Sequence, residues 1–268
     1  MVVKDLVTTM SAQGLPASGV VGSGAWALTE GVGGDIVVES GSVARLLVTD
    51  SEGAVDINID MERGSRLDIL HVVYHHSATN MAVALAEGCE CRMTQVVVSP
   101  SDTRVVASLM ERGARFELGG VFVLTDEDQA SITADVNHVA SDCTSRTRVK
   151  GVASGKSHGS FSGLVYVAPD AQRTDSEQSS RNITIGEAHI ETLPQLEIYA
   201  DDVKCSHGAT VGQMDSDAIL YMRQRGLSLA DAKRLQIEGF VDDVVLHSVI
   251  AGSEEALADM LAEKLNRL

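Results

Sequence analysis

The chain has 268 residues, of which 44% are hydrophobic but only 3% aromatic: four Phe, four Tyr and one Trp. Lys and Arg number 21 against 38 Asp and Glu, a formal net charge of −17, so neither nucleic acid nor an anionic membrane is an expected partner. No apolar run approaches the roughly 18 residues of a membrane span, and four widely spread Cys do not make a disulfide framework.

Residues 1–31 read as an N-terminal segment. Met1-Val2-Val3-Lys4-Asp5 has no basic patch followed by an apolar block. No signal peptide is therefore read, and a cytoplasmic location is the default expectation. From about residue 32 a long-period echo begins. Glu39, Glu62, Glu87 and Glu111 each open a Gly-containing corner, at separations of 23, 25 and 24 residues. Each corner precedes a strand-like run, such as Ala44-Arg45-Leu46-Leu47-Val48 or Met93-Thr94-Gln95-Val96-Val97-Val98. Between them, Val55-Asp56-Ile57-Asn58-Ile59-Asp60-Met61 alternates apolar and polar, the period of a half-buried strand. A β-sandwich would place strands every 8–12 residues without such an echo. The pattern predicts a β-solenoid over residues 32–213. Its narrow interior is expected to hold Val, Ile, Leu and Ala with little room for rings.

Several segments along this body bear chemistry. His71, His75 and His76 cluster locally but lack the His-Glu-x-x-His zinc pattern. Cys89 and Cys91 fall on one side of a strand, as half of a metal site or as two small residues of the coil. Whether they or Cys143 take part in chemistry stays open. Lys150-Gly151-Val152-Ala153-Ser154-Gly155-Lys156-Ser157 nearly spells a P-loop, but its required first glycine falls on Lys150. Strand-like sequence follows where the phosphate-holding helix should start, so a turn is expected and no nucleotide. Cys205 and His207 are two apart and project from one face of an extended chain. A thiolate beside an imidazole suits iron, zinc or copper, or serves as a Cys–His nucleophile pair. Two donors do not complete a metal site.

From residue 214 the apolar period becomes helical. Ile219, Leu220, Met222, Leu227, Ala230 and Leu235 recur at helical spacing. Ser228 through Asp231 reads as a capped helix start, Gly226 and Gly239 as helix ends, and Ser253-Glu254-Glu255 as the start of a last helix running to about Arg267. Residues 214–268 are thus a small helical subdomain, in which Tyr221 and Phe240 are expected to sit outside the coil.

Three stretches carry a family resemblance. They are Arg181-Asn182-Ile183-Thr184-Ile185-Gly186, the run from Pro194 to Gly212 containing Ala200-Asp201-Asp202-Val203-Lys204-Cys205-Ser206-His207-Gly208-Ala209-Thr210, and Ile219-Leu220-Tyr221-Met222-Arg223-Gln224-Arg225-Gly226. The sequence resembles the SufB/SufD family of iron–sulfur cluster assembly proteins, densely over residues 138–245 and more loosely before them. The resemblance implies a mainly β fold, a right-handed parallel β-helix with a small C-terminal α-helical subdomain. It implies a non-catalytic scaffold that pairs with a SufB-like protein or a second copy of itself and docks the ABC-type ATPase SufC through residues 214–268. Cys205 and His207 would then lie at the pairing interface, where a transient iron–sulfur cluster sits. Tyr221, Arg223, Arg225, Gly226 and Phe240 would face the ATPase. Two departures accompany the resemblance. With the strand repeat read from about residue 32, the family's long helical N-terminal region is not expected ahead of it in this sequence. Ala188 and Gly208 also stand where SufB proteins carry Cys and Glu, so the chain is closer to SufD. Two other readings stand beside it. One is a structural dimerisation partner without metal ligands. The other is a polysaccharide-acting β-helix enzyme, for which nine aromatics supply few sugar platforms.

Overall fold

The computed structural model describes residues 2–16, 19–29, 33–49 and 52–267. The expected boundary at residue 32 falls outside them. The chain opens with α1 (Val2–Met10), then β1 (Gln13–Gly14), β2 (Val20–Val21), β3 (Gly24–Leu28) and β4 (Gly34–Val38). There follow β5 (Val43–Thr49), β6 (Gly53–Met61), β7 (Arg66–Val73), β8 (Ser77–Leu85), β9 (Glu90–Val97), β10 (Ser101–Leu109), β11 (Arg115–Leu124) and β12 (Gln129–His138). The last strands are β13 (Thr144–Ala153), β14 (His158–Val167), β15 (Thr174–Thr184), β16 (His189–Ile198) and β17 (Val203–Gly212). Three helices close the chain: α2 (Ser216–Gln224), α3 (Leu229–Val245) and α4 (Glu254–Leu265).

Odd-numbered strands form one nine-stranded sheet and even-numbered strands one eight-stranded sheet, with neighbouring strands parallel. Each strand pairs with the strand two elements away, so two strands make one coil. This is the parallel β-helix expected from the long-period echo. Stacked residues are 23 apart at Ser40 and Arg63, 24 apart at Asp68 and Arg92, and 31 apart at Ser145 and Ser176. The echo at Glu39 to Glu111 samples the coils of near-constant length and fades where the coils lengthen.

The interior is one apolar column in which Ile57, Leu67, Ile69, Met81, Met93 and Ile132 are buried. The expectation of little room for rings is corrected here, because Phe116, Phe122 and Phe161 are among the largest fully buried side chains. Glycine makes the room. A Cβ on Gly159 would meet Phe122 Cε2 at 2.5 Å, and one on Gly151 would collide with the same ring.

The two sheets differ on their outer faces. β8 alternates buried and exposed residues, but β7 is buried along nearly its whole length. Leu70, Val72, Val96, Val121 and Val123 on the outer face of the larger sheet pack under the helices, against Leu6, Ile237, Val241, Leu257 and Leu261. The subdomain is therefore fastened to the coil. Lys150 Nζ donates to Phe240 O at 2.9 Å and pairs with Asp243 at 2.8 Å, Lys264 pairs with Asp128, and the Val249 N–H donates to Thr94 Oγ1 at 3.1 Å.

Helix starts follow the sequence. Asp215 accepts from the Asp217 and Ala218 N–H groups, and Ser228 Oγ accepts from the Asp231 N–H at 3.0 Å. Gly226 follows α2 with φ +99, the left-handed conformation that glycine adopts without strain. The expectation for Gly239 is corrected: it lies inside α3. Ile237, Val241, Val244 and Val245 are buried against the coil and carry the helix through it. A Cβ at Gly239 would meet nothing within 4 Å. Gly239→Ala is therefore expected to raise the unfolding free energy by about 1 kcal/mol, the helix-propensity difference, read by urea denaturation.

Candidate functional site at the C-terminal end of the coil

β16 and β17 are the terminal strands of the two sheets, each with one neighbour only. The coil thus ends in two strands of 10 residues whose outer backbone edges lack a strand partner. Register decides which side chains enter this end. Ser176, Gln178, Ser180 and Asn182 of β15 are buried and point inward. Cys205, His207, Ala209 and Val211 lie directly over them in the parallel pairing. Cys205 and His207 therefore project from one face into the open end of the coil, the thiol half-buried and the imidazole exposed. Thr192, Pro194 and Leu196 form the opposite wall, stacked on Phe161, Gly163 and Val165.

The floor of this end is polar. His138 Nε2 lies 2.8 Å from Ser145 Oγ, which lies 2.8 Å from Ser176 Oγ, and Ser176 is in register beneath Cys205. The Asn182 amide donates to Ser180 Oγ and to Thr210 O. His138 Nδ1, Gln178 Oε1, Asn182 Oδ1 and Thr192 Oγ1 are buried and have no hydrogen-bond partner among the described residues. Burial pushes the Cys205 thiol above its ordinary range, assisted by the nearby Asp175 carboxylate and opposed by the Ser176 backbone. The thiol is thus protonated near neutrality and must lose its proton to bind a metal. Among the described residues, no three or more of His, Cys, Asp and Glu converge on a metal-sized site. Cys205 and His207 share one face of β17, and two side chains of this kind are fewer than the four donors of a tetrahedral metal site.

The other candidates lie elsewhere. Cys89, Cys91 and Cys143 are fully buried in the coil. Cys89 Sγ donates to Glu62 O at 3.1 Å and Cys143 Sγ to Glu111 O at 3.3 Å, while burial raises the Cys91 and Cys143 thiols. These are inert interior thiols. His71 points inward against Gln95, whereas His75 and His76 are exposed, so the three do not converge. The P-loop-like stretch is the end of β13 and a turn with Gly155 at φ +68, and β14 follows it where a phosphate-holding helix would start. Tyr221, Arg223, Arg225 and Gly226 are each exposed on α2 and the turn after it, and of these Tyr221 and Arg225 meet, with the Arg225 guanidinium 5.0 Å from the Tyr221 ring centre. Phe240 is half-buried on α3, its ring 4.9 Å from Lys150 Nζ. Sequence reasoning passed over Gln178 and His138. The signal was an inward-facing row, Ser176, Gln178, Ser180 and Asn182, that alternates as a strand should but with polar residues where apolar ones are the rule.

A family description, SUF system FeS cluster assembly, SufBD core domain, matches residues 36–240. The chain belongs to the SufBD family. It is 44% identical over 110 residues to iron-sulfur cluster assembly protein SufD of Escherichia coli (strain K12), a match covering 41% of this chain and 26% of that protein. An iron-sulfur cluster assembly SufBD family protein of Synechocystis is 45% identical over 86 residues, 32% of this chain and 19% of the relative. One of Mycobacterium leprae is 25% identical over 209 residues, 74% of this chain and 52% of the relative. The chain thus spans about half or less of the lengths of these relatives. Among the described residues no helix is long and apolar enough to cross a membrane.

Two outcomes follow from the site. In the unpaired native chain, iodoacetamide is expected to alkylate Cys205 and to spare Cys89, Cys91 and Cys143 until unfolding, as read by peptide mass spectrometry; equal labelling of all four contradicts the burial described. His138 is held neutral by burial, its pKa lowered to about 4. The unfolded chain binds that proton near the ordinary His value, so the contribution of neutral His138 is complete above about pH 6.5 and is lost as pH falls toward 4. His138→Gln is expected to flatten the acid limb of a stability–pH curve by on the order of 2–3 kcal/mol. An unchanged limb contradicts the assignment.

Proposed function

We propose that this chain is a non-catalytic scaffold subunit of SUF iron–sulfur cluster assembly, with the cluster as cargo held transiently at the open end of the coil. One observation carries the reading: Cys205 and His207 face the same way from a terminal strand that pairs with β15 on one edge only. A second scaffold chain, SufB-like or another copy, would pair along β16 and β17 and supply the missing donors. Two long parallel-sheet edges without a strand partner invite such pairing. Leu193, Ile198, Tyr199 and Val211 are large apolar residues exposed at the same end, and pairing would cover them.

Docking of an ABC-type ATPase of the SufC kind belongs to α2 and the turn after it. No residue of α2 is buried although Leu220 and Tyr221 are more than half exposed, so the helix presents apolar surface without a partner in this chain. Phe240 would support this surface from behind through its contact with Lys150. ATP-driven closure of two ATPase subunits would pull on two helical subdomains. Because α3 and α4 are tied to the larger sheet, the pull would reach the coil ends and shear the pairing interface, exposing Cys205 and His207 to iron and sulfide. Such work requires nucleotide-dependent differences in the contacts made by α2.

A second reading, a structural partner without metal ligands, is favoured by Ala188 and Gly208 at two ligand positions of SufB. Anaerobic reconstitution with iron and sulfide, in the presence of SufC and a scaffold partner, separates the two. The scaffold reading expects cluster absorbance that falls several-fold in Cys205→Ala and in His207→Ala; unchanged absorbance in both variants leaves the structural reading. SufC capture tests docking. Deleting residues 215–268 would bare the outer face of the larger sheet, so the informative variants are Tyr221→Ala and Arg225→Ala. Both are exposed and are expected to lose capture with thermal stability unchanged; full capture by both overturns the assignment to α2.

A further inference from the structure

Gln178 is 1% exposed and has a side-chain carbonyl, Oε1, without a hydrogen-bond partner among the described residues. Its amide crosses the coil. A Cβ on Gly163, in the opposite wall, would collide with Gln178 Nε2 and come within 2.8 Å of Phe161 Cζ, so Gly163 is small because the amide lies against it. The side chain is thus confined, and it is confined in register beneath His207, one strand spacing of about 4.8 Å away. Leaving a buried carbonyl unpaired costs on the order of 1–3 kcal/mol. Asn182 differs: its amide is anchored on Ser180 and Thr210.

Histidine that binds a metal through one ring nitrogen keeps an N–H on the other, and that N–H needs an acceptor to fix the tautomer and the ring plane. A carboxamide oxygen is suited to this. It accepts from neutral imidazole without adding charge to a partly desolvated site. We propose that Gln178 is a positioning residue for His207: when the ring turns inward to hold metal, its free N–H donates to Gln178 Oε1. The inference rests on the proposed ligand role of His207. It adds that the ring orientation is preset from the coil interior of the same chain, and that the unpaired carbonyl is satisfied only in the loaded state.

The test is Co(II) binding by the full chain together with its scaffold partner under anaerobic conditions, followed by its d–d absorption, in Gln178→Leu, Gln178→Glu and His207→Ala and in the double variant of Gln178→Leu with His207→Ala. Gln178→Leu is expected to weaken Co(II) binding about 10–100-fold, Gln178→Glu to restore it, and the effect of Gln178→Leu to vanish when His207 is already Ala. In ¹⁵N-edited spectra the His207 ring nitrogens of the diamagnetic Zn(II) form are expected to show one tautomer in the unmodified chain and a mixture in Gln178→Leu. Co(II) affinity in Gln178→Leu equal to that of the unmodified chain overturns the positioning role while His207→Ala still lowers affinity. Affinity unchanged in His207→Ala overturns the ligand reading and the positioning role with it. If circular dichroism shows Gln178→Leu unfolded, Gln178→Met, unbranched and without an acceptor, is judged by the same outcomes.

Discussion

Parallel, in-register stacking is the constraint on which this molecule depends. From β5 onward each inner strand pairs with strands of the coils above and below, so a side chain has as neighbours the side chains at its own position one coil away. A column therefore has to be compatible with itself. Apolar columns satisfy this inside. Outside, Asn58 donates to Asp35 and Asn80 to Asp56, each at 2.9 Å, and Arg92 bridges to Asp68. The stacking cannot continue indefinitely, and its last layer has one neighbour where every inner layer has two. Backbone groups and inward side chains that would be buried in any earlier coil are open there. A coil of this kind supplies a rigid rod at no functional site and a chemically distinct surface at its end, and Cys205 and His207 belong to that end.

The second organising fact is that the two sheets are not equivalent. The smaller sheet faces outward with alternating burial; the larger one is covered by α1, α3 and α4. Covering converts the helical subdomain from an appendage into part of the coil's own packing. A rough scale of 25 cal/mol per Å² of apolar area makes the covered Leu70, Val72, Val96, Val121 and Val123 a stronger attachment than the exposed part of any ion pair. The ion pair of Lys150 with the exposed Asp243 fixes direction more than strength, while that of Lys264 with Asp128 is mostly shielded from solvent. In the proposed cycle this rigidity matters, since a force applied at α2 does work on the coil end only if the connection between them does not yield.

Much of the fold was legible because its signals are local and periodic. The strict alternation of residues 55–61 appears as β6, and the change of period after residue 214 appears as three helices with the capping at Asp215 and Ser228. The two-residue separation of Cys205 and His207 survives as one face of β17. What was missed depends on contacts between coils. Continuous apolar runs such as Val121-Phe122-Val123-Leu124 mark a strand covered on both faces, yet a run by itself does not say what covers it. Phe122 fits the interior only because Gly151 and Gly159 come to lie against it from elsewhere in the chain. Gly239 looked like a helix end because propensity was the available signal; the buried Val241, Val244 and Val245 override it at a cost of about 1 kcal/mol. Gln178 was invisible for the same reason. A glutamine in a polar-looking segment declares nothing until register places it under His207.

The inward row of β15 shows how the stack trades stability against chemistry. Inward positions of β7 are Leu67 and Ile69, with His71 set against Gln95; the inward row of β15 is Thr174, Ser176, Gln178, Ser180 and Asn182, all buried. Placing five polar side chains where packing favours aliphatic ones destabilises unless each is hydrogen-bonded. Some are: Ser176 through Ser145 to His138, and Asn182 through Ser180 and Thr210. Three carbonyl or hydroxyl oxygens at this end, on Gln178, Asn182 and Thr192, are not. A stack under selection for stability alone has no reason to turn polar in its penultimate layer, where apolar residues would also cap the core. In the proposed scaffold such a floor would have a use beneath Cys205 and His207: it would lower the cost of the charge and dipole changes that accompany loss of the Cys205 proton and capture of a cation, and it would supply acceptors already in place. Isolated inward polar residues occur earlier in the coil, at His71, Thr79, Gln95 and Thr103, but rows of them begin at Ser145 and Thr147 and fill the inward side of β15, the layer beneath Cys205 and His207.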